Sequence, residues 1–353
     1  MPRPPDSGLG VTYAALARDV APSEARGRPE RAPRLGVASL GASAEPVEAR
    51  AKRVEGQRSW SPGLVQGAPR MKHRSPRHAL RHWSLVRDTV ASADQLLLLA
   101  DFDGTLAPIV SDPARARLPQ RTKRLLRQLS RLPRTSVGII SGRSLRFVRQ
   151  HVGLPSLIYV GNHGCEIIGP GLRFVHPRVR CARPLLRRVA AQLTRALRGI
   201  RGSLVEYKGF SLSVHWRNVS ARDGGIFLRA VRQVLQPWVR QRRIRLTYGK
   251  HVIEVRAPVV WDKGHSVEWI RRHRAGLRRA LVCYLGDDRT DEDAFRIVNR
   301  LRGLSIVVGR TRRPTTTAHW RLQTPGEVQG WLARFLALRQ QAGMGRRARG
   351  GAR

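Results

Sequence analysis

Two carboxylates end a strongly apolar run in the first third of the chain. Residues 96–110 read LLLLADFDGTLAPIV, so Asp101 and Asp103 follow four leucines and an alanine. A buried charge without a partner is costly, so we expect a cation to be held beside them. Carboxylate oxygens bind Mg²⁺, and a carboxylate next to that ion can attack a phosphoryl group while a second one transfers a proton. The pair therefore indicates phosphoryl chemistry, although a lone Asp-x-Asp pair is more often a solvated turn.

The segments around this pair alternate between strand and helix. Apolar runs predict strands at 96–101, 135–141, 156–161, 279–288 and 303–309, and helical spacing predicts helices at 119–132, 144–152 and 291–300. This alternation is typical of an α/β fold with a parallel sheet covered on both faces. Ligands of such sheets bind at the carboxyl ends of the strands, where Asp101, Ser141 and Asp287 all lie. Their convergence favours one functional site over three unrelated turns.

The middle of the chain has a different pattern. Strands are predicted at 203–217 and 243–256, from alternating polar and apolar residues around glycine-containing turns, and helices at 183–199 and 223–239. We therefore predict a small α+β cap domain that acts as a lid and interrupts the core domain. The predicted bounds are 91–164 and 259–338 for the two parts of the core and 165–258 for the cap.

The two ends of the chain are basic and lack periodicity. Residues 1–90 are rich in Pro, Arg, Ala, Gly and Ser, and residues 339–353 in Arg and Gly, so we predict disorder in both segments. The abrupt change in composition also raises the hypothesis that translation begins at Met71. The intact mass of the protein from its host would test it.

The charge of the chain is unusual. It carries 67 Lys and Arg against 24 Asp and Glu, a formal charge of +43. This balance is typical of proteins that bind nucleic acid or other polyanions. The arginines are dispersed, with few aromatics between them and no zinc-finger, KH or RNP-like pattern, which favours solvated arginines and at most nonspecific attraction of nucleic acid by the basic tails.

The cysteines and the apolar runs bear on the compartment. Cys165, Cys181 and Cys283 have no metal-ligand spacing and make no even framework, which is typical of a reducing compartment. No apolar run approaches the length of a membrane span, and the N-terminal residues lack the apolar region of a secretory signal. We therefore predict a cytoplasmic protein without membrane contact.

Four motifs stand in the order found in haloacid-dehalogenase-type phosphatases. They are DFDGTLAPI, IISGR, DKG and GDDRTDEDAF, and GNHGCE, VEYKGFSLSVHWR, GKHVIEVR and WDKG narrow the resemblance to trehalose-6-phosphate phosphatases. The resemblance covers about residues 94–335 and implies a Rossmann-like parallel-sheet core with an inserted α+β cap. The chain departs from the family at Trp216, where Tyr is usual, and at Ala257, where Pro often follows the arginine. These departures concern substrate contacts rather than the reaction.

The resemblance also implies roles for the motif residues. Asp101 would be the nucleophile that forms a phosphoaspartate, and Asp103 would protonate the leaving sugar oxygen and then activate water. Ser141 would donate a hydrogen bond to the phosphate, and Lys263 would neutralise it. A lysine that opens a helix is electrostatically disfavoured, which favours function over a solvated position. The loop around the phosphate would be shaped by Gly104 and Thr105.

The same resemblance implies a bound Mg²⁺. Its ligands would be the Asp101 carboxylate, the Asp103 backbone carbonyl and Asp287. Asp288 and Asp291 would support the metal without ligating it directly.

The cap strands carry polar residues on one face. Glu206 and Lys208 share a face of one predicted strand, and Glu254 and Arg256 share a face of another. Such a face suits a hydroxyl-rich sugar. The resemblance assigns sugar or phosphate contact to Glu206, Lys208, Lys250, Glu254 and Arg256, and ordinary cross-strand ion pairs are the alternative.

Residues at the hinge and after the second motif remain open between two interpretations. Asn162, His163 and Glu166 follow the third strand of the core and are expected near the substrate, and a structural hinge role is an equal alternative for His163. Arg143 is either a phosphate-site residue or a surface arginine. His215 is interpreted as an ordinary strand histidine.

The motifs together predict a Mg²⁺-dependent phosphatase that hydrolyses trehalose 6-phosphate to trehalose and phosphate. This reaction belongs to trehalose biosynthesis and implies a functional link to trehalose-6-phosphate synthase. One alternative is another sugar phosphatase of this fold, acting on sucrose phosphate or a mannosyl phosphate. A polyanion-binding protein on the same fold is the alternative from another class.

Overall fold

The computed structural model describes residues 75–110, 115–249, 251–309 and 316–350, with the backbone alone for 343–350. The strands are β1 (Arg77–His78), β2 (Leu96–Asp101), β3 (Thr135–Ile140), β4 (Ile158–Gly161), β5 (Glu166–Gly169), β6 (Leu172–Val175), β7 (Leu204–Tyr207), β8 (Ser211–His215), β9 (Arg245–Gly249), β10 (Val252–Arg256), β11 (Leu281–Gly286), β12 (Leu304–Val308) and β13 (Trp320–Leu322). The helices are α1 (Trp83–Ser92), α2 (Gln120–Ser130), α3 (Leu145–Val152), α4 (Pro177–Ala196), α5 (Ala221–Arg240), α6 (Lys263–His273), α7 (Glu292–Arg300) and α8 (Pro325–Gly350). Short 3₁₀ turns lie at Asn162–Gly164 and Arg289–Asp291.

The central sheet has the strand order β1-β13-β12-β11-β2-β3-β4-β5-β6. In this spatial order, every pair of neighbouring strands from β1 through β13, β12, β11, β2 and β3 to β4 is parallel. The β4–β5 and β5–β6 pairs are antiparallel. The predicted α/β fold is confirmed. Because β2 lies between β3 and β11, the carboxyl ends of these three strands meet at one edge.

Strand β2 is buried on both faces of this sheet, which explains its unbroken apolar sequence. Leu96 and Leu98 pack into the cluster that holds Trp331 and Phe335 of α8. Leu97 and Leu99 point the other way, into the cluster built on α6 and α7. Burying each such side chain stabilises the fold by about 1.5–3 kcal/mol, so the core holds the end of β2 rigidly.

The two terminal predictions need correction. Residues 75–90 were predicted to be disordered, but β1 pairs with β13 and α1 buries Val86 and Val90 in the core. The two valines, one helical turn apart, are a short apolar stripe among basic residues. Likewise, 339–350 continue α8, where Nη1 of the buried Arg339 donates to the carbonyl of Ala93 at 2.7 Å. Residues 1–74, with Met71, and 351–353 lie outside the described residues.

The cap contains a four-stranded antiparallel sheet of order β7-β8-β10-β9. One face packs against α4 and α5 through an apolar cluster that includes Val214, Phe227 and Val255. The predicted cap began at residue 165, but β5 pairs with β4 and β6 pairs with β5, so both strands extend the core sheet. A polar β-hairpin at a sheet edge has the same alternating pattern as a cap strand, so its sequence alone could not assign it.

Aromatic residues pack where the chain passes between core and cap. The ring of Trp261, after β10, lies 5.1 Å from that of His176, after β6, and 5.2 Å from that of Phe174. The indole N–H of Trp261 also donates to the carbonyl of Gly164 at 2.8 Å. Both connections are therefore fixed to the core near β4. Among the described residues, no helix has the length and apolar character to cross a membrane.

Candidate active site

A buried lysine bridges two carboxylates at the end of β2. Nζ of Lys263 donates to Oδ1 of Asp101 at 2.8 Å and to Oδ1 of Asp291 at 2.7 Å. Lys263 is the first residue of α6, whose start is capped by Asp262, and only 2% of it is exposed. Burial alone would lower the pKa of Lys263, but the two carboxylates raise it above its usual value. The ammonium therefore stays charged and supplies positive charge beside Asp101, where the sequence had predicted a metal ion.

Asp101 itself is 5% exposed. Burial raises the pKa of its carboxyl well above the usual value, against the opposing attraction of Lys263, and Asp291 and Asp287 raise it further. Concentrated negative charge in a dry position is stabilised by added positive charge. The site is thus suited to a cation in addition to Lys263.

Both carboxylate oxygens of Asp291 accept hydrogen bonds from other groups of the protein. Its Oδ1 also accepts from the hydroxyl of Tyr284 at 2.6 Å, and its Oδ2 accepts from the backbone N–H of Asp288 at 2.9 Å. Tyr284 and Asp291 are both fully buried. This carboxylate therefore holds Lys263 in place. Asp288 is exposed and caps the 3₁₀ turn that contains Asp291.

The donor set fits a hard divalent cation. Carboxylate oxygens of Asp101, Asp287 and Asp291 lie within 4.8 Å of one another. Oδ1 of Asp287 is buried and has no hydrogen-bond partner in the part of the chain that the structure describes. Burial and Asp291 raise the pKa of Asp287 to about 7, which indicates an acidic cluster short of positive charge. Gly104, at φ +78°, leaves room there, because a Cβ would clash with the Asp287 carboxylate.

Arg143 belongs to the site and is not a surface arginine. Its Nε donates to Oδ2 of Asp103 at 2.9 Å and its Nη2 to Oδ1 at 2.7 Å. Its guanidinium also lies 4.6 Å from the ring centre of Phe147. The fork fixes the orientation of the Asp103 carboxylate, whose side chain is 33% exposed toward the cleft.

The phosphate-loop candidates lie beside this pair. Ser141 is 1% exposed, and its Oγ accepts from the backbone N–H of Arg143 at 3.1 Å. Thr105 is fully buried, and its Oγ1 has no hydrogen-bond partner among the described residues. Both hydroxyls lie in loops that directly follow parallel strands of the core sheet, which is where ligands of such sheets bind.

The hinge residues connect the second motif to the cap. Asn162 and His163 have φ of +48° and +55°, an uncommon conformation for residues other than glycine. Their backbone N–H groups donate to the carbonyls of Arg143 and Ser141, at 2.7 and 3.0 Å. The Asn162 side chain accepts from Oγ of Ser211 in the cap at 2.6 Å and donates to Glu166 at 3.0 Å. Its amide therefore ties the core to the cap.

His163 lies against Gly142 and is kept neutral. A Cβ on Gly142 would clash with the His163 ring. Burial lowers the pKa of His163 well below its usual value, and the charges of Arg256, Lys208 and Lys263 add to this effect. The ring is thus surrounded by the cations expected to bind substrate.

The polar face of the cap sheet holds the remaining candidates in pairs. Nζ of Lys208 lies 3.1 Å from Oε1 of Glu254, and Oγ of Ser213 donates to the same oxygen at 2.6 Å. Nε2 of His215 lies 3.1 Å from Oε2 of Glu206, and this hydrogen bond lowers the pKa of Glu206. Sequence reasoning did not predict these contacts of Ser213 and His215.

Two further predicted residues complete the inventory of the cap. Arg256 is largely buried, and burial lowers its pKa. Its Nε has no hydrogen-bond partner among the residues that the structure describes. Lys250 lies outside the described residues.

Comparisons with known proteins agree with the motif order. The family model described as trehalose-phosphatase matches residues 99–325. A trehalose-phosphate phosphatase of Mycobacterium tuberculosis is 38% identical over 248 residues, covering 69% of this chain and 62% of its own length. Trehalose 6-phosphate phosphatase RA3 of Zea mays is 33% identical over 261 residues, covering 69% of this chain and 71% of its own. The solved C-terminal domain of the C. albicans trehalose-6-phosphate phosphatase superposes with a TM-score of 0.63 at 25% identity, over 75% of this chain and 98% of that domain.

Proposed function

This chain belongs to the trehalose-phosphatase family, and on that premise we propose that it hydrolyses trehalose 6-phosphate to trehalose and phosphate. The observation that carries the proposal is the buried bridge from Lys263 to Asp101 and Asp291 at the end of β2. The polar face of the cap sheet supports the choice of a sugar phosphate. The chain spans 62% of the length of its mycobacterial relative, so activities of that protein's remaining segments are not implied.

The nucleophile of the proposed reaction is Asp101. One of its oxygens is bound by Lys263, so its orientation is fixed before the substrate arrives. Attack on phosphorus breaks the bond to the sugar oxygen and forms a phosphoaspartate. The ammonium of Lys263 offsets charge on the phosphoryl oxygens, and the hydroxyl of Ser141 donates to one of them.

Asp103 is the proposed acid and base. It donates a proton to the departing sugar oxygen and later takes one from the water that opens the phosphoaspartate. The fork of Arg143 keeps this carboxylate oriented in the absence of substrate. For proton transfer, at least one oxygen of Asp103 has to exchange Arg143 for the substrate.

The proposed cofactor is Mg²⁺, held by the carboxylates of Asp101 and Asp287 with the backbone carbonyl of Asp103. Oδ1 of Asp287, which has no hydrogen-bond partner among the described residues, and the raised pKa of its carboxyl support this choice of ligand. When bound, the ion supplies positive charge that stabilises the transferring phosphoryl group. Asp291 remains with Lys263.

The first experiment is phosphate release from a panel of substrates with Mg²⁺ and with EDTA. The panel contains trehalose 6-phosphate, sucrose 6-phosphate, glucose 6-phosphate and an aryl phosphate, and Asp101→Asn protein controls for contaminating phosphatase. We expect Mg²⁺-dependent preference for trehalose 6-phosphate. Preference for another sugar phosphate would retain the catalytic residues and reject the substrate. No release from folded, Mg²⁺-loaded protein would leave polyanion binding as the surviving function.

Two further expectations remain proposals. The free state of Cys165, Cys181 and Cys283 supports a reducing, cytoplasmic location. A functional link to a trehalose-6-phosphate synthase follows from the proposed substrate, which such an enzyme has to supply.

A further inference from the structure

Four side chains form one row across the polar face of the cap sheet. Glu206 pairs with Ser213, Ser213 with Glu254, and Glu254 with Thr247, on strands β7, β8, β10 and β9. Residues directly opposite each other on neighbouring strands project from the same face. The adjacent residues Val205, Val214 and Ile253 project from the opposite face, into the apolar cluster under α4 and α5. The row therefore faces away from the helices of the cap.

Two atoms of this row, on adjacent strands, are buried and have no hydrogen-bond partner within the described part of the chain. Oε1 of Glu254 is bound by Lys208 and Ser213, whereas its Oε2 has no hydrogen-bond partner among the described residues. Oγ1 of Thr247, on the adjacent strand, has none either within that part of the chain. A buried polar atom without a partner is unfavourable and calls for an explanation such as a ligand. Together the two atoms offer an acceptor and a hydroxyl, which match the hydroxyl groups of a sugar.

The row also has a direction. Its Glu206 end is close enough to Arg143 for each to shift the other's pKa, and Arg143 holds the catalytic Asp103. Thr247 stands at the other end, three strand spacings or roughly 14 Å from Glu206. A ligand that contacts both ends of the row therefore has to be longer than a single sugar ring, and Thr247 stands at the end away from Glu206 and Arg143.

We propose that Thr247 is a specificity-determining residue that selects a disaccharide phosphate over a monosaccharide phosphate. Its hydroxyl and Oε2 of Glu254 bind hydroxyl groups of the sugar ring that does not carry the phosphate. This inference rests on the proposed function and adds to it the residue that recognises the second ring.

The test is the variant Thr247→Val, which removes one hydroxyl and keeps the shape of the side chain. We expect KM for trehalose 6-phosphate to rise about five- to tenfold, the loss of one net hydrogen bond. The value of kcat should stay within about twofold, because Thr247 is on a cap strand and is not one of the residues proposed for the chemical step. Turnover of glucose 6-phosphate and of an aryl phosphate should not change. Thr247→Ser, which restores a hydroxyl, should restore KM.

The matched control is Thr122→Val. Oγ1 of Thr122 is likewise buried and unpartnered among the described residues, but Thr122 lies on α2 in the core. This variant should leave KM for every substrate unchanged. A loss of trehalose 6-phosphate affinity equal to that of Thr247→Val would show a general effect of the lost hydroxyl and overturn the assignment.

Four other outcomes decide the inference. An unchanged KM for trehalose 6-phosphate in Thr247→Val would overturn it, and so would an equal loss with glucose 6-phosphate. If the wild-type chain prefers another disaccharide phosphate, the proposed substrate fails, but a selective loss with that disaccharide in Thr247→Val supports the role of Thr247. A wild-type preference for a monosaccharide phosphate overturns both.

Discussion

Removing the charge of Lys263 should destabilise the fold, and removing Asp291 as well should then cost less than it costs in the wild-type chain. In Lys263→Met the side chain keeps its length but no longer neutralises Asp101 and Asp291. Both carboxylates are then buried without a cation, since they are 5% and 0% exposed. In the double variant Lys263→Met/Asp291→Asn one of these charges is gone.

The burial and the contacts set the expected magnitudes. Breaking a buried ion pair from one side costs about 3–5 kcal/mol, which we expect for Lys263→Met. Asp291→Asn keeps a carbonyl oxygen for Tyr284 and Lys263 and should cost about 1.5–3 kcal/mol. Since the two residues contact each other at 2.7 Å, the double variant should be less destabilised than the sum by about 1–3 kcal/mol.

The assay is urea unfolding followed by circular dichroism, in EDTA so that no metal contributes. Lys123→Met, on the core helix α2, is the control for the loss of a lysine away from the carboxylates and should change stability by less than about 0.5 kcal/mol. If Lys263→Met does not fold, Lys263→Gln takes its place in the cycle. Costs that add within about 0.5 kcal/mol would refute the reasoning, because Lys263 and Asp291 would then stabilise the fold independently.

Three further predictions concern the nucleophile, the metal and the hinge. Asp101→Asn should abolish nearly all turnover while circular dichroism shows an intact fold, and activity above a few per cent would contradict the role of Asp101. Gly104→Ala should abolish the rise in Tm on adding Mg²⁺, because its Cβ clashes with the Asp287 carboxylate. The control Gly171→Ala, at a similar φ of +71° but with open space around it, should retain that rise. An unchanged response to Mg²⁺ in Gly104→Ala would reject the metal assignment. The lowered pKa of His163 means that the unfolded chain takes up a proton below about pH 6.5 that the folded chain excludes, so stability should fall as pH falls. Between pH 7.5 and 5.5, urea unfolding should show a loss smaller by about 1 kcal/mol in His163→Asn than in wild type, and equal losses would mean that the folded ring is protonated.

The core of the site could be predicted because its residues are tied to strand ends. In a parallel sheet, adjacent strands end at one edge, so Asp101, Ser141 and Asp287 had to meet once the strands were identified. Lys263 comes from the far side of the cap insertion, and its sequence position implied only that it opens a helix. The resemblance implied only that Lys263 neutralises the phosphate. Its contact with Asp101 at 2.8 Å was not predicted.

Other contacts depend on packing that no local pattern shows. In the sequence, Tyr284 is one of several large residues in the mostly apolar strand β11. Only the turn after that strand brings Asp291 to its hydroxyl. Thr247 faces Glu254 only because β9 pairs with β10 in one register, and a shift by one residue would point it at the helices. The predicted start of the core at residue 91 was wrong for a similar reason. Val86 and Val90 form a helix stripe too short to stand out among basic residues, yet both are fully buried.

Charged side chains of the core and cap that are proposed to bind substrate form ion pairs with each other. These pairs explain how the charges are stabilised before substrate binds. Asp103 is bound by Arg143, and Glu254 by Lys208. Each pair offsets the desolvation of its members, and each contains a group that the proposed substrate also requires. A phosphate competes for the cations, and sugar hydroxyls can satisfy the carboxylates. In the proposed reaction, substrate binding is then an exchange of partners rather than the addition of new charge, and exchange at Arg143 frees an oxygen of Asp103 for proton transfer.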